Sequence, residues 1–289
     1  MLKQKRSHTN TILDRPYRKV VLVGRGSKLS KSIASEILSL TGLDRHIKVL
    51  LIPSAANNST TYRKCVNETT KIFSHLGAHV DVLHGDPTAN NFHDPTRKRI
   101  EHMIAKANVL WISGGNTTQA RNLFERTGLG YFIKHSTGKV IAGGSAGALE
   151  LADKDALSFS TPERLPEEND WIDERGIGIF KPVIGVHNDF IEHLPWKGGI
   201  LSKPRSFYHK KMLKKLLTRS SHRRFGVCID DASALVIHND SFKVVNADDA
   251  DSHAGVTTYR LLDDKLIESH FTPKNTVNFI PLDQLRPAA

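Results

Sequence analysis

The sequence predicts an α/β protein: a mostly parallel sheet flanked by helices on both faces, with antiparallel hairpins toward the C-terminus. Three observations carry this prediction. Short apolar runs alternate with helix-period stretches from Lys19 onward, and such alternation builds a parallel sheet because each helix carries the chain back to the end where the last strand began. A glycine-rich strand–turn–helix junction, Gly143-Gly144-Ser145-Ala146-Gly147-Ala148, closes the alternating part. Beyond it, β-rich runs are joined by short polar turns such as His238-Asn239-Asp240-Ser241, which is hairpin chemistry.

Taken in order, residues 1–17 are polar and basic without periodicity and read as a mobile tail, and 18–289 read as a single domain. Lys19–Val23 is the first strand, ending at Gly24-Arg25-Gly26, and Leu29, Ile33, Ile37 and Leu40 then recur at helical spacing until Gly42. The Gly24-x-Gly26 pair invites a dinucleotide site, but Leu29 stands where that fingerprint needs its third glycine. Residues 49–52 form the next strand. A helix from near Ser59 turns Tyr62, Val66, Phe73 and Leu76 inward and stops at Gly77, and 80–83 is again strand. Asp94-Pro95 suits the N-cap and first position of a helix that carries Ile100, Met103, Ile104 and Ala107. Val109–Ile112 is a strand, residues 117–126 a helix, and 139–142 the strand that feeds the junction, with 149–152 as helix after it. Residues 160–176 read as a polar, proline-bearing loop. Val183–Val186 is a strand delivering His187, and 205–218 is a basic helix. Phe225–Ile229 follows as strand, then hairpins of 234–237 with 242–245 and of 259–262 with 266–270.

Composition narrows the functional classes. A chain of 289 residues with 39% hydrophobic and 25% charged residues suits a soluble globular protein. Apolar runs fall short of the roughly 20 residues a membrane span needs, and Lys3, Lys5 and Arg6 lead into no apolar segment of the kind a secretory signal requires. Cys65 and Cys228 lack metal spacing and read as reduced thiols, so the expected location is cytoplasmic. A formal charge of +11 points to an acidic substrate or partner. Residues 203–224 hold many Lys and Arg and no acidic residue, a candidate polyanion patch. Without an aromatic platform or a nucleic-acid motif, a solvated helix face is the better account, and nucleic acid is disfavoured as a partner.

The chemistry centres on the junction. Glycines two before and two after Ser145 let a strand and a helix crowd together around a strained serine, the arrangement of a nucleophile elbow. Ser145 is the candidate nucleophile. The N–H of Ala146 is the natural oxyanion donor, and Gly114 and Gly115, in the turn Ser113-Gly114-Gly115-Asn116, supply a second group of backbone donors. Of fifteen histidines, His187 is the best base because it ends a strand, as the elbow does. His193, His209 and His222 sit among polar or basic residues and are expected to be solvated. His187 and His193 lack supporting Cys or Glu, so neither metal nor cofactor is expected. Asp231 follows a strand and is the candidate acid. Asp230 adjoins it, but alternation lets only one of the two face His187; Asp189 is a rival acid or a substrate contact. An esterase of the α/β-hydrolase type would place its histidine late, where His238, His253 and His270 lie, but the chain lacks that class's early oxyanion loop. A serine apex excludes a thiol amidotransferase.

Ser113-Gly114-Gly115-Asn116-Thr117, Gly144-Ser145-Ala146-Gly147-Ala148, His187-Asn188-Asp189 and the run from Gly226 to Leu235 stand in one order along the chain. In these motifs, over about residues 19–270, it resembles peptidase E (aspartyl dipeptidase) and its cyanophycinase relatives. The resemblance implies a class I glutamine amidotransferase-like fold and a serine peptidase of the Ser-His-Glu or Ser-His-Asp type. Ser145 would be nucleophile and His187 base, with Asp231 where the family often has glutamate. Val186 stands where the family often has proline. Peptidase E reads an acidic N-terminal residue through an arginine in the helix after the histidine, where this chain offers Arg205, His209, Lys210 and Lys211. Asn116, Asp189, Arg205 and His209 are the expected substrate-binding residues. The expected function is a serine exopeptidase or dipeptidase cleaving beside an acidic residue of a small peptide; a homo-oligomer remains open. The alternatives are a cyanophycinase-like hydrolase of aspartyl-arginine peptides and a polyanion-binding protein on a catalytically decayed peptidase fold.

Overall fold

The structure, a computed structural model, describes residues 19–25, 29–56, 58–86, 93–153, 156–159, 171–174, 176–189, 191–196, 199–219 and 225–285. The basic tail and residues 160–170 of the expected loop lie outside these. The alternating part reads β1 (Lys19–Val23), α1 (Lys31–Ser39), β2 (Lys48–Ile52), α2 (Ser59–His75), β3 (His79–Val82), α3 (Arg97–Lys106), β4 (Val109–Ile112), α4 (Thr117–Thr127), α5 (Leu129–Lys134), β5 (Val140–Gly144) and α6 (Ala146–Glu150). Short polar side chains start these helices: Ser30, Asn58 and Asn116 each accept the backbone N–H three residues on. Gly128, at a left-handed φ of 70°, ends α4 close to the expected 126 and separates it from α5, which the sequence reading did not include. The expected Asp94-Pro95 start of α3 is not used. Thr96 is the cap, its hydroxyl accepting from Arg99 N–H at 3.3 Å, while the Asp94 carboxylate is taken by Arg126 at 2.9 and 3.0 Å.

The second half continues with β6 (Ala156–Phe159), β7 (Trp171–Glu174), β8 (Val183–Val186), β9 (Ile191–Trp196), β10 (Gly199–Pro204), α7 (Arg205–Arg219) and β11 (Phe225–Ile229). It ends with β12 (Ser233–His238), β13 (Ser241–Asn246), β14 (Val256–Leu262), β15 (Lys265–Phe271) and β16 (Ile280–Pro281). Residues 171–174, expected within a loop, are a strand paired antiparallel with β6.

Two large sheets result, where the sequence led us to expect one. The first runs β16-β13-β12-β1-β5-β4-β2-β3, with β1, β5, β4, β2 and β3 parallel and β12 antiparallel beside β1. The second runs β15-β14-β11-β8-β6-β7, parallel only through β11, β8 and β6. Strand alternation feeds two cores. Val20, Leu22, Leu50, Ile52, Leu110 and Ile112 pack with Ile184, Val186, Val227 and Ile229, so the buried layer between the sheets is shared. Val21, Val23, Val49, Leu51 and Trp111 face the other way, onto Ile33, Ile37 and Phe73 of α1 and α2. That is why these strands read as unbroken apolar runs. On the far side, α7 lays Met212, Leu213 and Leu217 over Val183, Cys228 and Tyr259. Among the described residues no helix is long and apolar enough to cross a membrane.

This layout brings the carboxyl ends of β1, β4 and β5 in one sheet near those of β8 and β11 in the other. Ligands bind at such ends in open α/β sheets.

Candidate active site

Ser145 stands between β5 and α6 at φ 51°, ψ −119°, a left-handed geometry that costs roughly 1–3 kcal/mol in a non-glycine residue. Its N–H bonds Val23 O at 2.9 Å, and its carbonyl accepts the N–H groups of Ala148 and Leu149 at 2.9 and 3.1 Å. The flanking glycines answer to contact. A Cβ on Gly143 would lie 2.3 Å from Gly147 O, and one on Gly147 would lie 2.1 Å from Ile112 O. Helix α6 therefore starts immediately after the serine, earlier than residues 149–152, and its first N–H groups lack intrahelical acceptors.

The Ser145 Oγ lies 2.7 Å from His187 Nε2. His187 Nδ1 is hydrogen-bonded to Asp231 Oδ1, and the other carboxylate oxygen pairs with Arg25 Nη1 at 3.0 Å. A neutral imidazole that donates from Nδ1 to the carboxylate leaves Nε2 free to accept the serine proton. His187 too holds a left-handed φ, of 56°. Burial pushes the Asp231 carboxyl up, but the hydrogen bond and charge of His187, with Arg25 and Arg205, outweigh it and hold the group below the usual carboxylate range. Asp231 is therefore ionised at neutral pH.

Beneath this chain runs a second, buried one. Asp230 accepts Gly255 N–H at 2.8 Å and Asn188 Nδ2 at 3.2 Å, and Asn188 Oδ1 lies 3.0 Å from His209 Nδ1. Because the Asn188 amide nitrogen faces a carboxylate, its oxygen faces the ring, so His209 donates from Nδ1. Burial raises the Asp230 carboxyl to about 6. Asp230 thus points away from His187 and Asp231 toward it, as strand alternation requires. Asp189 is exposed and accepts Asp231 N–H at 2.7 Å, which sets it against the backbone of Asp231 rather than the imidazole.

The expectation of a solvated His209 is overturned: the residue is fully buried, and desolvation with the nearby charges of Arg205 and His187 lowers its imidazole to about 3. It lies four residues before Leu213 and points inward with that face of α7. His209 is thereby set behind Asn188, which it supports through that hydrogen bond. Arg205, at the start of α7, is close enough to act on both Asp231 and His209. Lys210, by contrast, pairs with Glu268 at 2.8 Å, and Lys211 and Lys214 are exposed on the helix's outer face. His193 and His222 have no described side chains.

On the oxyanion side, Gly115 has φ 144°, and a Cβ there would lie 2.0 Å from Ala55 O. Ala55, Ala120 and Ala146 touch one another in a small cluster, so the Gly114-Gly115 turn lies beside the elbow. The oxygen of Asn116 caps α4 through Gln119 N–H at 3.0 Å, and its own N–H bonds Ala55 O at 2.6 Å. Among the described residues no group of three or more His, Cys, Asp or Glu is placed to hold a metal ion.

Sequence reasoning missed Arg25 and Asn188. The signal for Arg25 was its place at the carboxyl end of β1, but Gly24-Arg25-Gly26 invited only a cofactor comparison.

A strained serine at a parallel strand's carboxyl end, with an imidazole at hydrogen-bond distance, defines a serine hydrolase of the α/β class. The sequence profile of peptidase family S51 matches residues 20–245. The chain belongs to that family, the peptidase E family, and is a serine-type peptidase. Among solved structures it is similar to a peptidase from an acI-B1 Actinobacterium, at TM-score 0.61 and 19% identity over 91% of this chain and 96% of that one. It is also similar to a protein described as a candidate peptidase E from Listeria monocytogenes EGD-e, at TM-score 0.50 and 14% identity over 79% of this chain and 98% of that one. No curated protein matches it in sequence.

Proposed function

We propose that this peptidase is a dipeptidase-type exopeptidase that cleaves beside an acidic, aspartyl residue, with Ser145 as nucleophile, His187 as general base and Asp231 as the orienting acid. The observation that carries this reading is the unbroken hydrogen-bond chain from Ser145 Oγ through His187 to Asp231. In the reaction, Nε2 takes the serine proton as Oγ attacks the scissile carbonyl, and the Asp231 carboxylate stabilises the imidazolium that forms. The oxyanion would be met by Ala146 N–H and by N–H groups of the Gly114-Gly115 turn. His187 then gives its proton to the leaving amine, and water, activated by the same base, releases the acyl group.

The acidic preference rests on the cationic side chains that border the chain. Arg205 acts on the Asp231 carboxylate from α7, and Arg25 pairs with it directly. A desolvated charge pair to a substrate carboxylate is worth roughly 2–5 kcal/mol, or about 30-fold to several thousandfold in kcat/KM. An exposed one gives about 1 kcal/mol or less and disappears in salt. The test compares Asp-Leu with Asn-Leu at low and moderate salt, using Ser145→Ala as the blank. Equal kcat/KM for the two dipeptides removes the acidic preference; turnover in Ser145→Ala near wild type removes the triad.

A further inference from the structure

We propose that Arg25 is a positioning residue of the triad: its guanidinium fixes the Asp231 carboxylate in the orientation that meets His187. The proposal rests on the triad reading above and goes beyond it. Asp231 offers one oxygen to His187, and Arg25 Nη1 holds the other at 3.0 Å. With both oxygens engaged from opposite sides, rotation about the Cβ–Cγ bond is blocked, and the oxygen facing the ring keeps its place. The backbone of the same residue is held separately, through Asp189.

Local sequence makes the pairing compulsory. A Cβ on Gly24 would lie 1.9 Å from Asp230 O, and Gly24 N–H bonds Ser233 O at 2.9 Å. The end of β1 is therefore pressed against the 230–233 turn, and Arg25 emerges directly opposite Asp231. Only a residue without a side chain at position 24 permits this approach.

Asp231 is the carboxylate that faces the imidazole; Asp230 is turned to Gly255 and Asn188, and Asp189 to the backbone of Asp231. The cations near Asp231 are Arg25, from the end of β1, and Arg205, from α7. Arg25 is in ion-pair contact with Asp231 at 3.0 Å. The Arg25 side chain is 41% exposed, so its loss should matter little to the fold.

The test reads the rate of fluorophosphonate labelling of Ser145 at neutral pH in the full chain, with Ser145→Ala as the blank and melting temperature as the control for folding. For Arg25→Gln the rate is expected to fall about three- to tenfold, at an unchanged melting temperature, as the carboxylate loses its fixed orientation. Arg25→Lys, which keeps a charged donor toward the carboxylate, should recover more than half of that loss. A rate for Arg25→Gln that matches the wild type overturns the proposal, as does an equal loss in Arg25→Lys. A melting temperature that collapses in both variants assigns Arg25 to the fold and overturns it too. Wild-type protein that takes no label refutes the triad itself, which separates that failure from the failure of Arg25's role.

Discussion

His209 makes the sharpest prediction for the intact fold. Its imidazole is fully buried and held neutral, lowered from 6.5 to about 3 by desolvation and then by Arg205 and His187. A folded value below the unfolded one gives stability that is complete above pH 6.5 and is lost as pH falls toward 3. At about pH 4.5 nearly every unfolded chain carries this proton and hardly any folded chain does. The loss from this residue is then about 2.0 units times 1.36 kcal/mol, or about 2.7 kcal/mol. His209→Asn keeps an amide N–H near the position of Nδ1, so the bond to Asn188 survives while the titration goes. The smaller side chain leaves a cavity costing about 1–3 kcal/mol, equally at both pH values. Urea unfolding at pH 7 and at pH 4.5 should therefore show the mutant less stable at neutral pH and level with or above the wild type in acid. Groups remote from His209 titrate alike in both proteins and cancel. A stability gap that stays constant across the two pH values would refute a buried, neutral His209.

The remaining expectations concern the site. Asp231→Asn favours the wrong imidazole tautomer and should depress kcat by several orders of magnitude with little change in KM, whereas Asp189→Asn, which still accepts the Asp231 N–H, should lose less than tenfold; the reverse ranking would make Asp189 the acid. Gly24→Ala puts a methyl 1.9 Å from Asp230 O, so the 230–231 turn must move: kcat should fall at least tenfold and the melting temperature by several degrees, and a variant that matches the wild type in both rules out the close approach.

The sequence made most of the first sheet legible and left β6 and β7 of the second, with the separate β9–β10 pair, obscure, for a physical reason. Strands β1, β2, β4 and β5 are buried on both faces, so each is a compact apolar run between helix-period stretches. Strand β7 is Trp171-Ile172-Asp173-Glu174, half acidic and set after a polar, proline-bearing segment. Strands β9 and β10 each contain a proline, a residue that argues against strand except at an edge. The elbow was legible because its steric rule acts within five consecutive residues. His187 was legible because a strand delivers it, and Asp231 because strand alternation sorts it from Asp230. His209 was misread because the lysines beside it dominate the local composition; its spacing of four from Leu213 carried the better signal. Arg25 was invisible because its partner lies at the far end of the fold's connectivity.

The position of Asp231 is what ties these observations together. Ser145 and the Gly114-Gly115 turn belong to the first sheet, while His187 ends β8 in the second. A site built on two sheets is held in register only where something joins them. Asp230 and Asp231 lie on the short link between β11 of the second sheet and β12 of the first. There β12 pairs with β1, Gly24 bonds Ser233, and Asn188 N–H bonds Ile229 O at 3.1 Å. The link is thus fastened to the strand ends on either side of it, and the His209–Asn188–Asp230 ladder locks it from below. The Asp231 carboxylate at this crossing touches both sheets at once: the second through His187 and the first through Arg25. Chemistry that needs sub-ångström agreement between a nucleophile and its base would be well served by a turn fastened in this way to both sheets.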